Sequence, residues 1–186
     1  MTWNMAYWSH KKLLDSSWRY FTQLGADVLL FQEAHKPTFI KNNQNFIWHP
    51  AGVSNGRKSW GAGIYSGAYS LTEEPEASIP EWNRNGHKEL CVIANTNINN
   101  TLFTFISLYG RMDKIGYIGY SIPNLHRIIS DLTGILKGHM SGKRNIILAG
   151  DLNASLQFDQ QFGGQSHRIF FERLKDLGLE NCYELT

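Results

Sequence analysis

The pattern of hydrophobic and polar positions divides the first part of the chain into a strand, a helix and a second strand. The first apolar stretch is short and ends at Asn4. Apolar residues then recur at helical spacing from Lys11 to Leu24, and Gly25 is a typical helix stop. The next run, Val28 to Phe31, is continuous and leads to Glu33, as in strands that are buried on both faces. This order of elements predicts a parallel crossover unit.

Short strands are predicted for the middle of the chain. Their apolar runs cover residues 46–48, 61–66 and 69–71. Residues 51–59 are rich in Gly, Asn and Ser and predict an exposed loop. Two further runs, at residues 90–94 and 102–108, flank a segment that is dense in Asn and Thr. They predict a β-hairpin with Asn99-Asn100 at its tip.

Two helices are predicted for the last third of the chain. The first begins at Pro123 or Asn124 and is ended by Gly138. The second covers His167 to Leu177, with Ser166 as its N-cap. The elements therefore alternate between strands and helices at both ends of the chain, with a strand-rich middle.

The stretch between these helices carries the clearest chemical signal. Ile146 to Ala149 is a continuous apolar run that predicts a strand buried on both faces, and Gly150 allows a sharp turn or a close approach. If the chain stays extended, Asp151 and Asn153 project to the same side. The alternative is an ordinary exit from a strand through an Asx turn, because short motifs often occur without function. The polar residues 157–165 that follow predict a loop.

Other apolar runs also end in polar side chains. Asn4, Glu33 and Tyr109 each follow the end of a run, as Asp151 and Asn153 do. If these strand ends are aligned, in one sheet or in two packed sheets, their side chains meet at a single rim, where ligands commonly bind. The set offers oxygen donors rather than thiols, so it suits Mg²⁺ or Mn²⁺ better than zinc.

Composition restricts the class of protein. With 186 residues, 42% of them hydrophobic, the chain is long enough for one domain with a substantial core. We expect a cytoplasmic protein, because the sequence shows neither a signal peptide nor a transmembrane run, and its two cysteines form no metal-ligand pattern. A net charge of +2 is too small to indicate nucleic-acid binding and does not argue against it.

Four motifs together resemble a known family. In order and rough spacing, Thr2-Trp3-Asn4, Asp27 to Glu33, Ser107-Leu108-Tyr109 and Gly150-Asp151-Leu152-Asn153 are similar to those of the endonuclease/exonuclease/phosphatase superfamily. The resemblance implies an α+β fold, namely a DNase I-like, four-layer α/β/β/α sandwich, and a single domain over residues 1–186. It also implies a divalent-metal-dependent phosphodiesterase, most simply a nuclease, that hydrolyses phosphodiester bonds with a metal-activated water.

The resemblance also implies a role for each residue of the rim. Glu33 would be the principal ligand of Mg²⁺ or Mn²⁺, with Asn4 beside it. Asp151 would orient or deprotonate the attacking water. Asn153 would steady the phosphate or the water, and Tyr109 would contact the phosphate.

Three further residues are candidates for contact with the substrate. Arg111 follows Tyr109 closely, and His35 follows Glu33 by two positions. Arg84 lies in the segment 82–88, which mixes an aromatic residue with basic ones, as nucleic-acid binders do. For each of them, a solvated surface position or a place in the core is the alternative.

One departure from the superfamily divides the functional interpretation. Its members continue past the last helix into strands that end in Ser-Asp-His, and this chain has no such segment, since Ser166-His167-Arg168 lacks the Asp and begins a helix. The chain is then a truncated form of an enzyme, a non-catalytic binding module with a degenerate site, or a site that a partner chain completes. The missing strands would expose a sheet edge and favour a dimer or a partner there.

The substrate class stays open at this point. Nucleic acid, small phosphoesters and lipid phosphoesters are all handled on the DNase I-like fold, and a fold does not decide among them. The mild basicity and the segment 82–88 favour nucleic acid.

Overall fold

The computed structural model describes residues 1–7, 14–40, 43–51, 60–75, 88–111, 113–115, 118–120, 122–142 and 144–182. Within them the strands are β1 (Thr2–Asn4), β2 (Val28–His35), β3 (Phe46–Pro50), β4 (Trp60–Ser66), β5 (Thr72–Glu73), β6 (Cys91–Ile98), β7 (Thr101–Tyr109), β8 (Asp113–Ile115), β9 (Ile118–Tyr120) and β10 (Asn145–Asp151). The helices are α1 (Leu14–Gln23), α2 (Ile122–Met140), α3 (Leu156–Phe162) and α4 (Ser166–Asp176), with 3₁₀ turns at Asn43–Asn45 and Lys88–Leu90.

Two four-stranded sheets carry the fold. Their strand orders are β1-β2-β4-β3 and β10-β7-β6-β5, and β8 pairs with β9 separately. The strands β1 and β2 are parallel and are joined through α1, which confirms the predicted crossover. The strands β7 and β10 are also parallel. As a result, the ends of β1, β2, β7 and β10 that carry the predicted polar residues can face one rim.

Three hydrophobic clusters separate four layers. One lies between α1 and the first sheet, around Trp18 and Phe31. The second fills the space between the sheets, with Ile64 and Phe105 among its members. The third packs α2 and α4 on the second sheet, with Phe170 buried in it. This order of layers confirms the predicted α/β/β/α sandwich.

The predicted hairpin is confirmed, and its strands are longer than expected. The strands β6 and β7 pair in antiparallel register up to Ile98 and Thr101, so that Asn99 and Asn100 alone form the turn. Both asparagines have positive φ angles, 50° and 62°, as the tight turns that match the twist of a hairpin require. The prediction of a strand at residues 69–71 is wrong. The strand in this region is β5, at Thr72–Glu73, which pairs with β6.

The helix boundaries differ from the prediction in three places. The helix α2 passes through Gly138, because one interior glycine costs only about 1 kcal/mol, and the turn comes at Gly142, with a φ of +71°. The predicted loop 157–165 contains the helix α3, for which Ser155 is the N-cap. Ser166 is the first residue of α4 rather than its cap. The carboxylate of Asp159 accepts hydrogen bonds from the backbone amides of His167 and Arg168.

The strand β10 is not buried on both faces. Among the described strands it lies at the edge of its sheet and pairs with β7 alone. Ile146 is buried, whereas Ile147 is 43% exposed. A continuous apolar run therefore does not distinguish an edge strand from a central one.

Some predicted features fall outside the described residues. They include the start of the first helix, residues 11–13, the loop at 52–59 and the segment 82–87 with Arg84. Among the described helices, none has both the length and the apolar character that crossing a membrane would require.

Candidate active site

Asp151 is held by amides from two sides. Its Oδ2 accepts a hydrogen bond from Nδ2 of Asn4 at 2.7 Å, across the two sheets. The same oxygen accepts from Nδ2 of Asn153 at 3.2 Å, and Oδ1 accepts from the Asn153 backbone N–H, also at 3.2 Å. The Asx turn and the converging site are thus both present. The carboxylate is fixed by neighbours that donate to it and do not neutralise it.

Asn153 reaches this position by a turn rather than by an extended strand. The strand β10 ends at Asp151, and Asn153 has a φ of +46°. Its Nδ2 also donates to the carbonyl of Gly110, at 3.1 Å. The side chain therefore ties the end of β10 to the residue that follows β7.

Glu33 and Tyr109 form the second contact between the sheets. The Tyr109 hydroxyl donates to Oε1 of Glu33 at 2.6 Å. Tyr109 stands directly opposite Asp151 in the parallel register of β7 and β10, and Asn4 stands opposite Gln32, the neighbour of Glu33, in the register of β1 and β2. The structure thus places the five predicted rim residues at one edge of the sandwich.

The backbone at this edge is unusual. The described residues include five with positive φ that are not glycine: two form the hairpin tip, and the others are Ala6, Glu33 and Asn153. Glu33, with a φ of 47°, lies where β2 shifts register against β4, and this bulge turns the side chain out of the strand pattern. Ala6 donates its N–H to Oδ1 of Asn4 at 2.8 Å. Conformations of this kind cost about 1–3 kcal/mol each and are often found at functional sites.

A buried polar pair beneath the rim escaped the sequence analysis. Gln32 and Ser107 are fully buried, and Nε2 of Gln32 donates to Oγ of Ser107 at 2.9 Å. They precede Glu33 and Tyr109 by one and two positions, so this hydrogen bond fixes the two strand ends relative to one another. Their position within apolar runs was a signal that could have found them.

Two glycines let the strand ends approach closely. A Cβ on Gly150 would collide with the backbone of Leu108, and one on Gly110 would collide with the backbone of Leu152. The Gly110 N–H donates to the Asp151 carbonyl at 2.8 Å. The close approach foreseen at Gly150 thus occurs, and it brings Asp151 beside Tyr109.

The environment keeps the Tyr109 phenol protonated. Burial raises the pKa of Tyr109 well above its usual range, and the hydrogen bond to Glu33 and the charges of Glu33 and Asp151 raise it further, while Arg111 lowers it. Trp60 packs edge-to-face on the ring, with centroids 5.6 Å apart. At neutral pH this phenol is a fixed hydrogen-bond donor.

The donors at the rim fit a divalent cation that prefers oxygen. In the described part of the chain, no group of three or more His, Cys, Asp or Glu side chains could hold a metal ion. Mg²⁺ does not require one, because it usually takes one or two carboxylates and completes its shell with waters and phosphate oxygens. Glu33 and Asp151 are the two carboxylates at this rim, and the Asn4 side chain contacts Asp151 through its amide nitrogen.

The three predicted substrate contacts are placed differently. Arg111 lies just beyond Tyr109, and its side chain is 31% exposed. His35 is buried, with Nε2 at 3.0 Å from Oδ1 of Asp15, so the alternative of a core position describes it better. Contact between His35 and the substrate stays a prediction, which this buried position does not favour. Arg84 lies outside the described residues.

Comparison of the sequence with known proteins finds no relative. No protein-family model matches the chain, and no curated protein matches it. Solved structures are similar at the level of the fold. The endonuclease domain of TRAS1, a telomere-specific non-LTR retrotransposon, has a TM-score of 0.59 at 16% identity, over 96% of this chain and 70% of its own.

Two bacterial structures give the same result. The 3′ phosphatase NExo from Neisseria, solved with a product DNA hairpin, has a TM-score of 0.56 at 14% identity and covers 95% of this chain. An endonuclease/exonuclease/phosphatase family protein from Leptotrichia buccalis has a TM-score of 0.52 at 15% identity and covers 98% of it. The chain spans 69% and 73% of these two structures, respectively.

Proposed function

Because this chain has the DNase I-like fold of the endonuclease/exonuclease/phosphatase superfamily, we propose that it is a divalent-metal-dependent phosphodiesterase that cleaves nucleic acid. One observation carries the proposal. Two carboxylates from different sheets, Glu33 and Asp151, meet around the phenol of Tyr109 and the amide of Asn4. An arrangement that brings like charges together at a strained edge is typical of a site that binds a cation and an anionic substrate.

The metal ion would be Mg²⁺ or Mn²⁺, held by Glu33 with Asn4 beside it. When bound, such an ion neutralises charge that develops on phosphoryl oxygens. Glu33 points to the rim because of the bulge in β2, and Tyr109 orients one of its two oxygens. The other oxygen can then face the ion.

Asp151 is the proposed base. Its carboxylate is oriented by Asn4 and Asn153, which donate to it and leave it able to accept the proton of an attacking water. The water attacks phosphorus, the bond to the leaving oxygen breaks in line, the proton of the water passes to Asp151, and the leaving oxygen takes a proton from solvent. The two amides keep the base aligned through the reaction.

Tyr109 and Asn153 are the proposed phosphate contacts. The phenol stays protonated at neutral pH, so it can exchange its hydrogen bond with Glu33 for one with a phosphate oxygen. Asn153 stands beside Asp151 and can donate to the water or to the phosphate.

Nucleic acid is the preferred substrate class. One structural neighbour, from TRAS1, is an endonuclease domain. Another, NExo, was solved with a product DNA hairpin bound. The net charge of +2 is compatible with a polyanionic substrate.

Metal-dependent cleavage tests the proposal. The purified chain is incubated with supercoiled plasmid and with a chromogenic phosphodiester, in Mg²⁺ and in EDTA, beside Glu33→Ala and Asp151→Ala. We expect plasmid cleavage that EDTA abolishes and that each variant lowers by about 10²-fold or more. The exposed residues Glu172 and Asp176 on α4 provide matched controls, Glu172→Ala and Asp176→Ala, which should cleave like the parent. A folded parent chain without cleavage in Mg²⁺ would contradict the proposal.

A further inference from the structure

Two buried glutamates are each paired with a partly exposed arginine. The side chains of Glu74 and Glu89 are both 2% exposed, and those of their partners Arg144 and Arg111 are 27% and 31% exposed. A buried carboxylate is costly unless it is paired, so each pair needs a reason. The two pairs are closely matched in burial but lie at different ends of the second sheet.

The pair of Glu74 and Arg144 is part of a brace across that sheet. Arg144 donates from both terminal nitrogens, at 2.9 and 3.2 Å, and Asn95 donates to the same carboxylate. Thr104 in turn donates to Asn95, at 2.7 Å. Thr104 precedes Tyr109 by five residues in β7, which places this brace roughly 17 Å from the rim.

The pair of Glu89 and Arg111 lies at the rim itself. Glu89 belongs to the 3₁₀ turn that leads into β6, and its Oε1 is 3.5 Å from Nη1 of Arg111. The Arg111 backbone is held as well, because its N–H donates to the Tyr109 carbonyl at 3.0 Å and its carbonyl accepts from Asn124 at 3.1 Å. The backbone of Arg111 is therefore held in place, and its guanidinium lies against a buried carboxylate, two residues beyond the phenol.

We infer that Arg111 binds a phosphate oxygen of the substrate and that Glu89 is the positioning residue that holds its guanidinium at the rim. This inference deepens the proposed function and rests on it. Arg111 is close enough to the Tyr109 hydroxyl for its charge to oppose those of Glu33 and Asp151 there. A phosphodiester that approaches two carboxylates is repelled, and a fixed guanidinium offsets that repulsion.

Restraint by Glu89 should add affinity as well as direction. An arginine that is held in place before binding loses less side-chain freedom when it meets a phosphate. Arg111 has solvent access for such a contact, whereas the side chain of Glu89 is buried, so any effect of Glu89 on the substrate is indirect.

Steady-state kinetics on an oligonucleotide, with inorganic phosphate as competing anion, test this inference. The variants are Arg111→Ala, Arg111→Lys and Glu89→Gln, and their matched controls are Arg144→Lys and Glu74→Gln. Arg111→Ala should raise KM and the inhibition constant of phosphate by about tenfold or more, with a smaller change in kcat, because a charge-assisted hydrogen bond is lost. Glu89→Gln should raise both in the same sense and by less. The control pair should change Tm alone.

The double variant separates positioning from general destabilisation. The double variant of Glu89→Gln and Arg111→Ala should have the same KM as Arg111→Ala alone, because Glu89 then has no guanidinium to hold. If the Arg111 variants and Glu89→Gln keep the parent KM and phosphate inhibition while Tm falls as in the Glu74 pair, the inference is overturned. If Glu89→Gln does not fold, the two Arg111 variants decide.

The same variants distinguish this inference from the proposed function. If the parent chain cleaves nothing, phosphate binding is measured instead, as the increase in Tm when inorganic phosphate is added. Stabilisation of the parent and of Arg144→Lys, but not of Arg111→Ala, supports the anion site without any catalysis. Equal stabilisation of all three, or of none, overturns it.

Discussion

Tyr109 links the chemistry of the rim to its protonation. Its hydroxyl donates to Glu33, and burial, this hydrogen bond and the two nearby carboxylates all raise its pKa above the usual range. The neutral phenol is therefore the form that the folded protein favours. The stability it contributes is complete below pH about 10 and is lost as the pH rises through the folded pKa.

We predict that Glu33→Ala lowers the pKa of Tyr109, because it removes the hydrogen bond and one charge and leaves burial in place. Ultraviolet titration of the phenolate measures this, as the difference between each protein and its Tyr109→Phe derivative. A Tyr109 that ionises at about pH 10, the usual value for a tyrosine, in the parent chain would refute the raised pKa.

At this scale the sequence predicted positions better than partners. Asn4, Glu33, Tyr109 and Asp151 were found because each ends an apolar run. The hydrogen bond of Gln32 to Ser107 was missed, because a polar residue inside such a run could equally have faced solvent, and only the packing of the sheets decides.

Glu89 and His35 show the same limit for charged residues. Whether a glutamate in a short turn is buried depends on what packs over it, which no local pattern contains. His35 follows Glu33 closely, yet it turns inward to Asp15 because the bulge changes which face of β2 each side chain takes.

Among the elements, the β6–β7 hairpin is the one whose turn is most completely determined by its residues. Asn99 and Asn100 both adopt left-handed backbone angles, which asparagine tolerates better than other residues with a side chain. The same turn fixes the register that carries Tyr109 to the rim.

We predict that Asn100→Ala lowers the free energy of unfolding by about 1 kcal/mol, because alanine meets the steric cost of the left-handed region. Asn100→Gly should be neutral or stabilising, since glycine adopts this conformation freely. Urea denaturation of the two variants measures both effects. Equal stability of the alanine and glycine variants would show that the turn conformation is not what matters at this position.

The elements that were misjudged have a common cause. The strand β10 reads as a buried strand, but it lies at an edge because of its place in the strand order. The helix α3 is only seven residues long, too short to show a clear period, and its cap Ser155 was the signal. Local patterns set the type of an element, and long-range pairing sets its environment.

In the whole molecule, the site forms because strands of both sheets end at the same edge of the sandwich. The contacts of Asn4 with Asp151, and of Glu33 with Tyr109, each join one sheet to the other. The polar ends of the apolar runs predicted the convergence, and the resemblance to the superfamily implied the layers. The sequence could not predict which strands lie at the edges, because strand order follows from the packing of the complete sandwich.

Among the described strands, β1 and β10 are neighbours, and each lies at the edge of its sheet and pairs with a single strand. Apolar side chains are exposed on both, with Trp3 at 45% and Ile147 at 43%. The site lies between these two edges. The hydrogen bond from Asn4 to Asp151 joins these two edge strands.

The central claim is that Glu33 binds a divalent cation at a rim to which Asp151 adds a second negative charge, and a direct titration with Mn²⁺ tests it without any substrate. Calorimetry or electron paramagnetic resonance measures binding by the parent chain, Glu33→Ala, Asp151→Ala and the control Glu172→Ala. We predict saturable binding by the parent and the control, weakened by about tenfold or more in each of the other two. Equal binding by all four proteins, or none by the folded parent, would contradict the claim.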